Sequence, residues 1–246
     1  PTSVATDGFG RVWIADGTNR IRHVNGSGYI STVAGTGIAG FAGDGGPATS
    51  ARLFNPQGLA VDSAGNLYIV DMNNQRIRKV SSGVITTIAG TGVFGSTGDG
   101  GPATAAQLYY PNAVAIGTDG SVYVAEAYRI RRIRPDGIIV AFAGSMFTGF
   151  GGDGGAALTA LLNGPRGLTL STTGDLFFFD TGNYRVRRVG VDGVIDTVAG
   201  SGTVGNGGDG GPATDASLYA ANGIDVDAGA HLYISQADSA RIRVVS

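Results

Sequence analysis

An all-β repeat fold is what this chain predicts, and three observations carry the prediction. One row of residues returns five times, as Arg20-Ile21-Arg22, Arg76-Ile77-Arg78, Arg129-Ile130-Arg131, Arg185-Val186-Arg187 and Arg241-Ile242-Arg243, at intervals of 53 to 56 residues. Each row follows a short apolar run such as Leu67-Tyr68-Ile69-Val70, whose β-branched and aromatic residues suit a strand covered on both faces. Glycine supplies 44 of the 246 residues and charged residues only 15%, which fits a turn-rich β protein rather than a helical one. A period of this length marks units that bury their apolar faces only by stacking on one another. The chain therefore reads as a single domain, residues 1–246, with units beginning near residues 1, 56, 111, 165 and 221.

The second unit shows the elements in order. A first strand at Leu59-Ala60-Val61 ends in a polar turn, Asp62 to Asn66, and the second strand follows at Leu67 to Val70. Its counterparts are Val12 to Ala15, Val122 to Ala125, Leu176 to Phe179 and Leu232 to Ser235. A short turn, Asp71 to Gln75, leads to the Arg-Ile-Arg strand, and a turn centred on Gly83 leads to a fourth strand at Val84 to Ile88. Small four-stranded meanders joined by hairpin turns and repeated along a chain are the blades of a β-propeller; a β-helix would not need the hairpins. The fourth strand recurs at 28–34, 83–89, 137–143 and 193–199 but has no fifth copy, so 19 strands are expected and the last blade lacks its outer strand.

The pattern Asn55-Pro56-x-Gly58-Leu59-Ala60-Val61-Asp62, then Gly65-Asn66-Leu67-Tyr68-Ile69-Val70-Asp71, then Asn74-x-Arg76-Ile77-Arg78 resembles the NHL-repeat family over essentially the whole chain. With Gly43-Asp44-Gly45-Gly46-Pro47-Ala48-Thr49 between units, it is similar to the long-repeat form of teneurin-like and bacterial extracellular NHL proteins. The resemblance implies a propeller that is extracellular or at the cell surface, a scaffold within a larger assembly that binds protein or glycan. It also raises the blade count, because relatives more often have six. Five is preferred, since a blade missing from the middle of a ring would leave two apolar faces open, and a six-bladed parent is the alternative. The third unit departs from the pattern at Glu126-Ala127-Tyr128 and the fifth at Gln236, where the others carry Asp.

Composition excludes several function classes. A formal charge of −2 and a pI near 5.6 provide no broad positive field, so nucleic acid is not an expected partner, although some animal NHL domains bind RNA on a basic face. No apolar run approaches the roughly 18 residues of a membrane span, so direct membrane insertion is not expected. Cysteine is absent, which removes thiolate metal sites and thiol nucleophiles. A single lysine, Lys79, accompanies 16 arginines, a bias that suits flat, forked donors between packed layers. Only two histidines occur, His23 and His231, too few for the three-ligand zinc site that the resemblance to amidating lyases would need. The rival to a binding role is a propeller enzyme with a channel metal site, lactonase-like or lyase-like. Gln57, Asn112 and Asn222, at the starts of first strands, are its candidate oxygen ligands.

Because strand direction reverses at every turn, the second-to-third strand turns share one end with the long inter-unit loops, residues 35–55, 90–110, 144–164 and 200–221. Long insertions on one face of a repeat array form its working surface. Met146, Phe147 and Phe150 are the densest apolar group there and, with Phe41 and Phe94, the candidate contacts for a partner. Asp44, Asp99, Asp153 and Asp209 recur between glycines, each expected to hold a turn and start a short helix at Pro47 to Ala51 and its copies. Calcium is the competing reading for these four carboxylates, but one per loop falls far short of the roughly six to eight oxygens it takes, and no cofactor is expected. In the Arg rows, residues i and i+2 share a face, so structural pairs are expected at Asp16 with Arg20, Asp71 with Arg76 and Asp180 with Arg185. The edge at Arg241, Arg243 and Val245 is open, and a partner segment is a candidate strand donor for the fifth blade.

Overall fold

Residues 67–71 are buried along their whole length because both faces are apolar, and they form the second strand of a four-stranded antiparallel sheet. The same meander recurs through the computed structural model, which describes residues 1–221, 223–236 and 239–246. The first sheet contains β1 (Ser3–Thr6), β2 (Val12–Ala15), β3 (Ile21–Val24) and β4 (Ile30–Ala34), paired in that order. The second contains β5 (Pro56–Val61), β6 (Leu67–Asp71), β7 (Arg76–Ser81) and β8 (Val84–Ala89). The third contains β9 (Ala113–Ile116), β10 (Val122–Ala125), β11 (Ile130–Ile133) and β12 (Ile139–Ala143). In the fourth, a two-residue strand from the preceding loop, β13 (Gly155–Ala156), pairs outside β17 (Val194–Ala199), which closes a meander of β14 (Pro165–Leu170), β15 (Leu176–Asp180) and β16 (Arg185–Val189). The fifth has three strands among the described residues, β18 (Gly223–Val226), β19 (Leu232–Gln236) and β20 (Arg241–Val245), as the missing fourth copy predicts.

The chain divides into two compact units, Pro1–Val122 with Ile133–Val140, and Tyr123–Arg132 with Ala141–Ser246. The core of the first joins Trp13, Ile21, Leu53, Leu59, Ile69 and Ile85, drawing on the first two sheets and the loop between them. The second has an equivalent core of Phe179, Val186, Leu218, Ile224, Leu232 and Ile234. In each unit an inter-sheet loop supplies a buried leucine, Leu53 or Leu218, so the loops belong to the core rather than lying over it.

Backbone bonding holds the loops in one repeated path. The amides of Gly35 and Thr36 donate to the carbonyls of Ala48 and Ala51, and Gly90, Gly144 and Gly200 repeat the first bond with Ala103, Ala157 and Ala213. Glycine is required at the return: Gly90 has φ +93°, and a Cβ there would lie 2.2 Å from the Gln75 carbonyl oxygen. The helix expected at 47–51 is a single 3-10 turn, Ala48–Ser50, with Pro47 at its N-cap and no side-chain cap bond. Three residues between two prolonged backbone contacts leave no room for a longer helix, and the turn recurs at Ala103–Ala105, Ala157–Thr159 and Ala213–Asp215.

Candidate interaction surface

The arginine rows are the framework of the loop-bearing end. Between β7 and β8 the register shifts after Ile77, and the same irregularity lies after Ile21 and Val186. A bulge at this place re-aims the second arginine of each row. Arg78 is fully buried; its Nη2 donates to Asp44 Oδ1 at 2.6 Å and its Nη1 to Asp71 Oδ2 at 3.2 Å. Arg187 repeats the arrangement with Asp153 at 2.6 Å and Asp180 at 3.3 Å. Asp71 also accepts from the Phe54 amide and Asn74, and Asp180 from the Asn163 amide and Asn183. Burial nevertheless pushes both carboxyls above the ordinary carboxylate value, because desolvation outweighs these donors.

The expected pairs Asp71 with Arg76 and Asp180 with Arg185 are therefore corrected by one alternate residue. Asp71 lies opposite Arg76 in backbone register, yet the arginine is long enough to pass it, and its guanidinium donates instead to the carbonyls of Asn74 at 3.0 Å and Thr91 at 2.6 Å. Arg185 does the same with Asn183 and Ser201. Arg20 likewise donates to the Thr36 carbonyl at 2.8 Å, while Asp16 is occupied by the amide and hydroxyl of Thr18. The first arginine of a row thus ties the next loop to its sheet, and the second ties down the loop before.

Asp44 and Asp153 are corrected as well: neither starts a helix. Each carboxylate accepts from a buried arginine with one oxygen and from a fourth-strand hydroxyl with the other, Thr87 at 2.6 Å and Thr197 at 2.8 Å. Asp209 pairs with Arg243 at 2.5 Å, and Asp99 has partners of its own. No cluster of three or more His, Asp or Glu side chains suited to a metal ion occurs among the described residues. Two departures foreseen in the sequence change the framework locally. Glu126, on a turn two residues shorter, reaches Arg129 at 3.0 Å and Arg131 at 3.5 Å with its longer side chain. Buried Gln236 donates to the Tyr219 carbonyl, leaving Arg243 to pair with Asp209 and the carbonyls of Ser217 and Gly207.

The apolar candidates separate by role. Phe41 lies under two guanidinium groups, 3.7 Å from Arg76 and 4.9 Å from Arg78, and Phe150 lies under Arg185 and Arg187 at 3.8 and 5.1 Å. Phe94 packs against Tyr109 and Tyr110. Among the described residues Met146 and Phe147 have no such partner, and they stand exposed, Phe147 by 74%. At the starts of the first strands, Gln57 donates to Asn55, Asn112 Oδ1 is buried without a partner among the described residues, and Asn222 lies outside them. His23 packs against Trp13 with ring centroids 4.7 Å apart, and His231 sits on Asp227.

The model of the Teneurin NHL domain family matches residues 38–97, 94–150 and 146–207. The chain belongs to the Teneurin NHL family. Teneurin-1 of Mus musculus is 30% identical over 249 aligned residues, which cover 88% of this chain and 9% of that protein, so the chain spans about a tenth of the relative's length. Among solved structures, a Bacteroides thetaiotaomicron protein superposes with a TM-score of 0.72 at 18% identity, covering 98% of this chain and 57% of its own. A Xanthomonas campestris gluconolactonase superposes with a TM-score of 0.64 at 16% identity, over 99% of this chain and 71% of its own. The fold of this Teneurin NHL chain is that of a β-propeller, with five blade-type sheets. Among the described residues, no helix is long and apolar enough to cross a membrane.

The ionic framework of this Teneurin NHL chain was also hidden in its sequence in one respect. Asp44 with Arg78, Asp153 with Arg187 and Asp209 with Arg243 are each 34 residues apart. That constant interval was the available signal for partners that no local rule would join.

Proposed function

We propose that this chain is a non-catalytic interaction module that binds a protein partner through its inter-unit loops, in an extracellular or cell-surface setting and as part of a larger assembly. The observation that carries the reading is the contrast within one loop: Phe150 lies under Arg185 and Arg187, while Met146 and Phe147, four and three residues earlier, are more exposed, Phe147 by 74%. A loop anchored by buried charge presents its apolar tip with little ordering left to lose on binding, which favours affinity. Exposed apolar side chains of this size suit a protein surface better than a glycan. The family resemblance supports the extracellular setting.

A second reading, a propeller enzyme of the lactonase or lyase type with a metal site, has one observation in its favour, the buried and unpartnered Asn112 Oδ1. One experiment separates the two. The chain is offered immobilised secreted and cell-surface ectodomains, and each binder is retested with Met146→Ser plus Phe147→Ser and with Val191→Ser, an exposed residue in a third-to-fourth strand turn. The interaction reading expects at least a tenfold loss for the double variant and none for Val191→Ser. Loss with Val191→Ser alone, or divalent-cation-dependent lactone hydrolysis by the unmodified chain, would overturn it.

A further inference from the structure

We propose that Asn25, in the turn between β3 and β4, is an N-glycosylation site whose side-chain nitrogen Nδ2 accepts an oligosaccharide. The inference rests on the extracellular reading above for the setting in which such a sugar is added.

Asn25-Gly26-Ser27 is the only Asn-x-Ser/Thr triplet in the 246 residues. Its turn is tightly built. The Asn25 amide donates to the Tyr29 carbonyl at 3.0 Å and the Gly28 amide to the Asn25 carbonyl at 2.9 Å. Asn25 Oδ1 accepts from the amides of Ser27 and Tyr29, both at 3.0 Å, and the first of these bonds is an Asx turn. Two bonds to one oxygen fix the plane of the side-chain amide, and Nδ2 has no hydrogen-bond partner among the described residues. Residues 25–29 are all exposed, and a Cβ added at Gly26 or Gly28 would meet nothing within 4 Å. The turn therefore has room for a bulky substituent.

Other turns in the chain show that nothing in the fold calls for this nitrogen. The same pair of bonds to one side-chain oxygen, from the amides two and four residues on, holds the turns that begin at Asp7, Asp62 and Asp227. In those copies the second oxygen is used as well: Asp7 takes Arg11, Asp62 takes Asn66 and Tyr68, and Asp227 takes His231 and Tyr233. An aspartate thus does all that the turn requires, and only the copy followed two residues later by a serine carries the amide. The backbone turn itself does not depend on asparagine either, since it recurs between the third and fourth strands of the third and fourth sheets with Arg134 and Gly190 in the same place.

The donor for such a site is an oligosaccharide carried on a polyprenyl diphosphate. Nδ2 bonds the anomeric carbon, the bond from that carbon to the diphosphate oxygen breaks with its electron pair, and one Nδ2 proton passes to a base of the transferring enzyme. Because β4 begins at this turn and ends at the loop 35–55, the sugar would stand at the far end of the strand from that loop and leave it uncovered.

The test sends the unmodified chain, behind a cleavable secretory signal, through a eukaryotic secretory pathway and reads the tryptic peptide of residues 23–52 by mass spectrometry, in microsomes and in the medium. The route is supplied, so a negative result counts against Asn25 and not against the extracellular reading; failure of the loop-binding experiment would leave a positive result untouched. Most copies of the peptide should carry a hexosamine-containing glycan that peptide N-glycosidase removes. Ser27→Ala should lower occupancy at least tenfold, Ser27→Thr should retain it, and Asn25→Asp, which keeps the oxygen that holds the turn, should abolish it while the thermal melt stays that of the enzymatically deglycosylated parent. An unmodified Asn25 in both compartments would overturn the proposal. So would a glycan that persists in Asn25→Asp, or aspartate and isoaspartate at position 25 before any enzymatic release, which would assign the Asn25-Gly26 pair to spontaneous deamidation instead.

Discussion

Arg78 and Asp44 are 34 residues apart in sequence and 2.6 Å apart in space, and the contact joins a buried strand to the loop that precedes its sheet. Asp71 approaches the same guanidinium from the neighbouring strand. One arginine therefore fastens an inter-unit loop to the interior.

Removing that arginine should cost far more than removing its outer partner. Arg78→Ala leaves the fully buried Asp71 without its charge partner, and a loss of about 3–5 kcal/mol is expected from denaturant unfolding. Asp44 is partly exposed and its loss leaves Arg78 with Asp71, so Asp44→Ala should cost no more than about 1–2 kcal/mol.

Two left-handed glycines should respond differently to alanine. At Gly90 a Cβ meets the Gln75 carbonyl at 2.2 Å, while at Gly100, with φ +82°, nothing lies within 4 Å. Gly100→Ala should cost about 1–2 kcal/mol of backbone strain, and Gly90→Ala that amount plus about 1–3 kcal/mol of overpacking, read as a larger drop in Tm.

Phenylalanines within one loop should part company in a stability measurement. Phe150→Ser removes the ring beneath two guanidinium groups and should cost roughly 1–2 kcal/mol. Phe147→Ser should stay within about 0.5 kcal/mol of the parent.

Acid should act on two sets of aspartates in opposite directions. Burial opposes ionisation of Asp62, yet bonds from Asn66 and Tyr68 hold it below the ordinary 3.8, and Asp227 is held below the same value by His231 and Tyr233. Their contribution is complete above pH 3.8 and is lost as pH falls through their folded values. Asp71 and Asp180, raised by burial, add stability as pH falls through their folded values toward 3.8. Thermal melts should therefore show Tm level or slightly rising on the approach to pH 3.8 and falling below it. A Tm that declines steadily from neutrality would contradict this assignment.

Strand positions are legible in the sequence because each apolar run must be covered on both faces; Val12–Ala15 and Val122–Ala125 coincide with β2 and β10. The arginine partners are less so. Spacing along one hairpin joins Asp71 to Arg76, but side-chain length and a bulge shift the contact to Arg78, and the second carboxylate comes from the loop before the sheet. Phe41 and Phe150 keep 43% and 42% of their surface exposed, as the sequence suggests, but the guanidinium from 35 residues away that lies over each ring is not legible locally.

The account's central claim is that the inter-unit loops are parts of the folded sheets, fixed by buried arginines and fourth strands. Residue-resolved amide hydrogen exchange on the unmodified chain tests it most directly. Gly45, Gly100 and Gly154, which bond Ile85, Ile139 and Ile195, should exchange as slowly as the inner strands, while Gly210, in the same loop position with no strand to bond among the described residues, should exchange orders of magnitude faster. Uniformly fast exchange at all four glycines would show that the loops are not fastened and would contradict the account.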